Sequence, residues 1–284
     1  MSRDRMQASR FELKYLITED VAGRVRDFVR CYLGIDEFGV GRPDCAYPVH
    51  SIYLDSDRLD LYWHTVNGDK NRYKLRLRYY SDHPDAPVFF EIKRRMKDAI
   101  LKQRGAVKPS AVPLLLHGHF PGPEHMARPN PGGLVALQRF IQLMTQIRAT
   151  PRSHIHYLRE AYVSDDDQVR VTMDRKVFSQ PHLLPAIKVK MERAVQSFKG
   201  LVVLELKFTN RFPNWFRELV RMANVMQSGV PKYLSGVENL GRARLGAHHA
   251  EVMEEESLLS TPCPGDDLPA FVRQEKSVGG KRKA

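Results

Sequence analysis

Four stretches of the sequence set ionic side chains at alternate positions. In "KLRLRYY", Lys74, Arg76, Arg78 and Tyr80 alternate with Leu75, Leu77 and Tyr79. In "RFELKY", Arg10, Glu12 and Lys14 alternate with Phe11, Leu13 and Tyr15, and in "FFEIKRR", Glu91, Lys93 and Arg95 alternate with Phe90 and Ile92. "LVVLELKF" sets Glu205 and Lys207 against Val202, Leu204, Leu206 and Phe208, while "LREAY" and "VRVTMDR" add Arg159 and Arg170. A β-strand turns successive side chains to opposite faces, so each segment, read as a strand, has one charged face and one apolar face.

One such strand describes a half-exposed antiparallel sheet with its charges in water. Several together favour a barrel lined with charge. Crowding cations into an enclosure costs desolvation and repulsion, and anions must compensate. Phosphate chains suit this lining. Arginine gives bidentate hydrogen bonds, lysine gives compact charge, and the few carboxylates can hold Mg²⁺ or Mn²⁺ against phosphate oxygens. The predicted ligand is a triphosphate or a longer phosphate chain.

The elements that must position these residues are short strands among a few helices. "TEDVAGRVRDFVRCYLG" reads as a helix with Thr18 as N-cap, and Val21, Val25, Phe28, Val29 and Tyr32 on one apolar face. "HSIYLDS" is a strand, "RLDLYWHTVNG" a short helix and turn, and the turn-rich "SDHPDAP" joins two neighbouring strands. After the loop "HGHFPGPEHMARPNPGG" comes the helical pattern "LVALQRFIQLMTQI". Strands resume with "SHIHYLREAYVSD", "QVRVTMDRKV", "AIKVK" and "LVVLELKF". The last organised element is "PNWFRELVRMANVM", opened by Pro213. Strands this numerous, with so few helices, exclude alternating βαβ units. The expected fold is α+β, an antiparallel β-barrel forming a charged tunnel with flanking helices. Residues 1–245 are expected to form the domain, and the acidic, Pro/Gly-punctuated segment 246–284 a disordered tail.

At 284 residues, 42% hydrophobic and 27% charged, the chain has the composition of a globular protein. The formal charge is +12. The segment from Gly246 carries more acids than bases, so the excess lies in the part that folds. Apolar runs are too short to span a membrane, the N-terminus lacks a signal-like core, and Cys31, Cys45 and Cys263 form no motif, so a cytoplasmic location is expected. The histidines make no persuasive metal site, with His154 and His156 alternating in "HIHY"; Trp63 and Trp215 read as packing residues. There is no recognition-helix or aromatic RNA-binding signature, so nucleic acid is not an expected partner.

Taken in order, "RFELKYLI", "SIYLDS", "YKLRLRYY", "FFEIKRR", "KQR", "HYLREAY", "VRVTMDR", "LVVLELKF" and "PKYLSG" resemble the VTC domain of polyphosphate polymerases, within the CYTH-like triphosphate tunnel enzymes. The resemblance spans about Arg10 to Gly236. It implies a tunnel-shaped barrel, ATP as donor, inorganic polyphosphate as acceptor and product, ADP release, and Mn²⁺ or Mg²⁺ as cofactor. By position, Lys14 resembles the first phosphate-binding lysine, Arg76 and Arg78 the paired tunnel arginines, and Lys93 the lysine of the next strand. Lys102 and Arg104 match the basic residues beyond it, Tyr157 and Arg159 the Tyr-x-Arg signature, and Arg170 a further phosphate contact. Glu205 resembles the metal-binding glutamate, and Lys232 the late lysine. The family commonly has serine before that lysine; here Pro231 stands there, without a hydroxyl or an amide hydrogen, leaving Ser228 or Ser235 to compensate.

The expected mechanism sets the donor along the basic strands, with Glu205 orienting the metal and Arg76, Arg78, Lys93, Arg159 and Lys232 acting on the transferring group. The acceptor oxygen is already ionised, so no general base is required. Water in its place gives an inorganic or nucleoside triphosphatase, and binding without turnover gives a polyphosphate-binding module. Both stand as alternatives.

Overall fold

The computed structural model describes residues 10–97, 99–209 and 211–246, without the side chains of residues 10 and 99. The expected tail, 246–284, lies outside the described residues apart from Gly246. Ten strands run β1 (Arg10–Ile17), β2 (Gly34–Ile35), β3 (Ala46–Asp55), β4 (Asn71–Tyr79), β5 (Val88–Met96), β6 (Ala99–Val107), β7 (Thr150–Val163), β8 (Val169–Pro181), β9 (Val195–Gln196) and β10 (Val202–Thr209). Six helices accompany them: α1 (Glu19–Val29), α2 (Asp60–Val66), α3 (Val112–Leu116), α4 (Pro131–Gln146), α5 (Asn214–Ala223) and α6 (Lys232–Leu240).

Local chemistry sets several boundaries. Val21 N–H donates to Thr18 Oγ1 at 3.4 Å and starts α1, and Gly133 N–H donates to Asn130 Oδ1 at 3.0 Å and starts α4. Helix α4 begins earlier than its apolar period, because Asn130 caps a Pro-Gly-Gly first turn. Pro213 sits at the N-cap of α5.

Every pairing is antiparallel, and the main path through the sheet is β1-β10-β8-β7-β3-β4-β5-β6, with β2 paired to β7 and β9 to β8. The expectation of a closed barrel is corrected here. Strands β1 and β6 end the path and share no ladder, so the sheet is open. Alternation fixes which face is charged and says nothing about whether two edges pair, and a curled open sheet satisfies the same pattern. The curl is strong. Lys93 Nζ on β5 lies 2.7 Å from Glu12 Oε2 on β1, although five strands separate them and a flat sheet would hold them about 30 Å apart. The charged face is therefore the concave one.

Helices α3 and α4 cover the outer face of β4 and β5 through Leu75, Leu77, Phe90, Ile92, Leu137 and Phe140. Helices α1 and α5 cover that of β1, β8 and β10 through Val25, Val29, Leu204, Leu206 and Phe216. Gly105 of β6 lets α4 approach, since a Cβ there would stand 2.7 Å from the Gly133 carbonyl oxygen. The third core, Tyr53, Ile155, Tyr233, Val237 and Leu240, lies on the concave side, where α6 packs.

Two expectations about elements change. "AIKVK" is not a strand: Ile187 and Val189 pack on the outer core as irregular chain, with the Lys188 carbonyl accepting from Tyr79. The chain is also organised beyond α5. Helix α6 escaped detection because "KYLSGVENL" combines Ser, Gly and Asn, poor helix formers. Gly236 is there for contact, since a Cβ would meet Ser179 Oγ at 2.9 Å and Ile155 Cδ1 at 3.3 Å. Among the described residues no helix is long and apolar enough to cross a membrane.

Candidate functional site

The concave face gathers its charges into two clusters. The first surrounds Glu205 on β10. Lys232 Nζ, at the start of α6, lies 2.9 Å from Glu205 Oε1 and 2.7 Å from Asp174 Oδ2 on β8. Arg159 on β7 grips Asp174 with two hydrogen bonds of 2.7 and 2.8 Å and stands 3.6 Å from Glu205. Lys14 bridges Glu205 at 3.4 Å and Glu12 at 3.3 Å, Lys207 pairs with Glu205, and Lys93 reaches Glu12. Strand register explains the convergence: Lys14 is opposite Glu205, and Asp174 is opposite Arg159.

The second cluster surrounds Glu91 on β5, which is fully buried. Arg76 donates to it at 2.8 Å through Nε and lies 2.7 Å away through a terminal nitrogen, and Lys102 of β6 reaches it at 2.6 Å. Arg76 also donates to the Tyr53 hydroxyl at 3.3 Å. Tyr157 joins the two clusters: its hydroxyl accepts from Arg78 at 2.9 Å, while Arg159 and Lys232 lie 5.2 and 5.1 Å from its ring centre. Tyr157 shares the inward face of β7 with Arg159, two residues on, in unbroken register with β3, and the pairing of β7 with β8 shifts register beside it, between His156 and Leu158.

This is not a solvated face. Arg78, Arg159 and Lys232 are each 8% exposed, Glu205 4% and Asp174 0%. Lys14, Lys74, Arg76, Arg78, Lys93, Lys102, Arg159, Lys207 and Lys232 confront four carboxylates, Glu12, Glu91, Asp174 and Glu205. The imbalance shifts the pKa values of the lining. Burial, then Lys14 and Lys93, pulls Lys74 down to about 7, and it has no ion pair among the described residues. Burial also pulls Lys102 down to about 7 and Lys207 to about 8, against the opposing pull of Glu91 and Glu205. The carboxylates move the other way: burial raises Glu205, but Lys207, Lys232 and Lys14 overcome it and hold it well below the usual range. A lining with more cations than anions has the charge to accept a polyanion.

Of the residues singled out from sequence, Lys14, Arg76, Arg78, Lys93, Lys102, Tyr157, Arg159, Glu205 and Lys232 meet in these clusters. Two do not. Arg104 is exposed and lies over the Phe89 ring at 4.9 Å, and Arg170, though opposite Lys207 in register, pairs with Asp36 on the loop after β2. Asp174 and Tyr53 went unnoticed. Asp174 shares the parity of Arg170 and Thr172 in "RVTMD", and that was its available signal. Three residues before Pro231, Ser228 N–H donates to the Lys14 carbonyl at 3.0 Å, and the Ser228 hydroxyl is shielded without a partner among the described residues. Ser235 lies one turn into α6, where its N–H donates to the Pro231 carbonyl.

Among the described residues no three His, Cys, Asp or Glu side chains form a metal cage. Glu205 and Glu12, the carboxylates that share Lys14, could supply one or two oxygen donors to Mg²⁺ or Mn²⁺, whose shell phosphate oxygens and water would have to complete. The donor set fits a metal that arrives with phosphate, and not a resident one.

Among the solved structures similar to the chain are two from bacteria. One is a candidate adenylate cyclase from Bacillus halodurans, at 13% identity and a TM-score of 0.46, covering 79% of this chain and 94% of the other. The second is a candidate adenylate cyclase from Vibrio parahaemolyticus, at 10% identity and a TM-score of 0.39, covering 80% and 97%. Neither likeness bears on the reaction. No curated protein matches the chain. The model of the VTC domain matches residues 9–240, the whole of the curled sheet and its helices, and the chain belongs to the VTC domain family.

Proposed function

We propose that the protein is a metal-dependent polyphosphate polymerase that transfers the γ-phosphate of ATP to a growing polyphosphate chain and releases ADP. The observation that carries this reading is the concave lining, in which the buried Arg78, Arg159 and Lys232 and the half-buried Arg76, Lys14 and Lys93 converge around too few carboxylates. In this reading the donor chain displaces part of the internal pairing. Arg76 and Arg78 bind one side of it, and Arg159, Lys14 and Lys232 the other. Glu205 would hold the metal, which would supply charge neutralisation on the phosphate oxygens.

The lining stabilises charge and positions groups. Arginines fixed by Glu91 and Asp174 need no reorganisation when charge shifts to the leaving oxygen. Arg78 is oriented by the Tyr157 hydroxyl, and its Nε is buried without a hydrogen-bond partner, leaving a donor for phosphate. The incoming terminal phosphate is ionised near neutral pH, so no side chain must remove a proton from it.

The test is incubation of pure protein with ATP and Mn²⁺, with product length resolved on a gel. A ladder of long polymers supports the polymerase. Orthophosphate in proportion to ADP, without polymer, overturns it in favour of a triphosphatase.

A further inference from the structure

A group of aromatic rings stands where β3 and β5 begin and β4 has just ended. Phe38, on the loop after β2, stacks on Tyr80 with ring centres 5.5 Å apart and planes 11° from parallel. Tyr47 tilts against both, at 5.6 and 6.1 Å, and Phe89 meets Tyr80 edge-on at 6.2 Å. Tyr47 is buried, whereas Phe38 keeps 46% of its surface exposed. The group has a fixed floor and an open outer ring, the form of a stacking platform.

Register ties this platform to the basic lining. Tyr47 is opposite Arg159 and Phe89 is opposite Arg78. Phe89 precedes Glu91 by two residues on the same face of β5, a step of about 7 Å. Phe38 is anchored from the same side: its N–H donates to Asp36 at 3.0 Å, and Asp36 pairs with Arg170. The rings therefore continue the face that bears Arg78 and Arg159, one step beyond them.

An inorganic phosphate chain has no use for aromatic surface, whereas a nucleoside triphosphate carries a flat base at the end of its phosphates. The geometry points to a base-binding ledge in which Phe38 and Tyr80 take the purine of the donor nucleotide while its phosphates enter between Arg78 and Arg159. This inference rests on the phosphate-binding reading of the lining and adds a means of choosing a nucleoside triphosphate over an inorganic chain at the donor position. Stacking tolerates any base and gains with ring area, so purine triphosphates are favoured over pyrimidine ones.

Calorimetric titration of the wild type, Phe38→Ala and Phe38→Trp with ATP and with inorganic tripolyphosphate, both with Mg²⁺, tests it. Loss of one stacking partner is expected to weaken ATP about tenfold. Tripolyphosphate is expected to stay within about twofold in both variants, and Phe38→Trp to hold ATP at least as tightly as the wild type, since tryptophan offers the larger ring. Unchanged tripolyphosphate binding also certifies that Phe38→Ala is folded. An equal loss for both ligands, or no loss for either, overturns the ledge while leaving the lining's reading intact. Absence of tripolyphosphate binding by the wild type overturns the reading and the ledge together. If the rings instead seat a second copy of the chain, Phe38→Ala changes the sedimentation coefficient and leaves ATP affinity alone, which also overturns the ledge.

Discussion

Lys232 Nζ lies 2.7 Å from Asp174 Oδ2 and 2.9 Å from Glu205 Oε1, so one lysine at the start of α6 joins two buried carboxylates on neighbouring strands. Burial pulls its pKa down, but Asp174 and Glu205 pull harder the other way, and it stays charged throughout the physiological range. Lys232→Met would leave Asp174 and Glu205 with one cation fewer in a dry setting. Breaking a buried pair in this way costs about 3–5 kcal/mol. Urea unfolding is expected to show a loss of that order, together with lost tripolyphosphate binding. Lys232→Arg is expected to recover much of the stability. A Lys232→Met protein as stable as the wild type would mean that α6 is held by its apolar face alone.

Arg76 and Glu205 separate binding from chemistry. Arg76→Ala removes a half-buried guanidinium whose partner, Glu91, still has Arg78 and Lys102 nearby, so the fold should survive. Oriented donors at a charge-shifting centre are worth about 10²–10³ in rate, and ATP turnover is expected to fall by that factor. Glu205→Gln keeps the size of the side chain but removes the charge proposed to hold the metal. Its turnover is expected to fall similarly and its apparent Mn²⁺ requirement to rise. Full activity in either variant, measured as ADP release, would place the reaction elsewhere.

Alternation in "KLRLRYY", "RFELKY", "FFEIKRR" and "LVVLELKF" made the concave lining legible, because a strand's period of two leaves a visible mark. Closure was not legible. Whether β1 and β6 pair depends on curvature and stagger summed over eight strands, and no single strand encodes it. Asp174 was hidden for a different reason: a lone carboxylate among arginines reads as local neutralisation, and only the pairing of β8 with β7 and the arrival of α6 bring it to Arg159 and Lys232. Tyr157 was named through resemblance, and its inward face follows from its parity with Arg159, whereas the register shift beside it between β7 and β8 leaves no mark in sequence.

The outer face offers a control that leaves the lining untouched. Glu160, fully buried on β7, accepts two hydrogen bonds from Arg26 of α1 at 2.7 and 3.0 Å, one from Arg175 at 2.6 Å and one from the Tyr162 hydroxyl at 2.7 Å. Burial raises its pKa, and these partners override that and lower it. Glu160→Ala leaves two arginines without their shared carboxylate and is expected to cost about 3–5 kcal/mol in urea unfolding. Tripolyphosphate affinity below the transition should match the wild type, since no residue of this network faces the concave side. A stability-neutral Glu160→Ala would show that apolar contacts alone dock α1.

Proton linkage reports the surplus charge directly. Lys74 and Lys102 are drawn down to about 7 and Lys207 to about 8, from an ordinary 10.5. Lowered lysine pKa values mean that the unfolded chain binds more protons between about pH 7 and 10.5, so these three groups make stability rise with pH across that window. A bound polyanion favours the ammonium forms and reverses the shift, so these lysines take up protons near pH 8, beyond the fraction of a proton that tripolyphosphate itself sheds on binding cations. Tripolyphosphate titrated without metal into the protein at pH 8, in buffers of different ionisation enthalpy, should show uptake of about one to two protons. Lys74, which has no ion pair among the described residues, should contribute most clearly, and Lys74→Met should lower the uptake. Heats independent of buffer, or proton release, would mean that the phosphate chain does not lie against Lys74, Lys102 and Lys207.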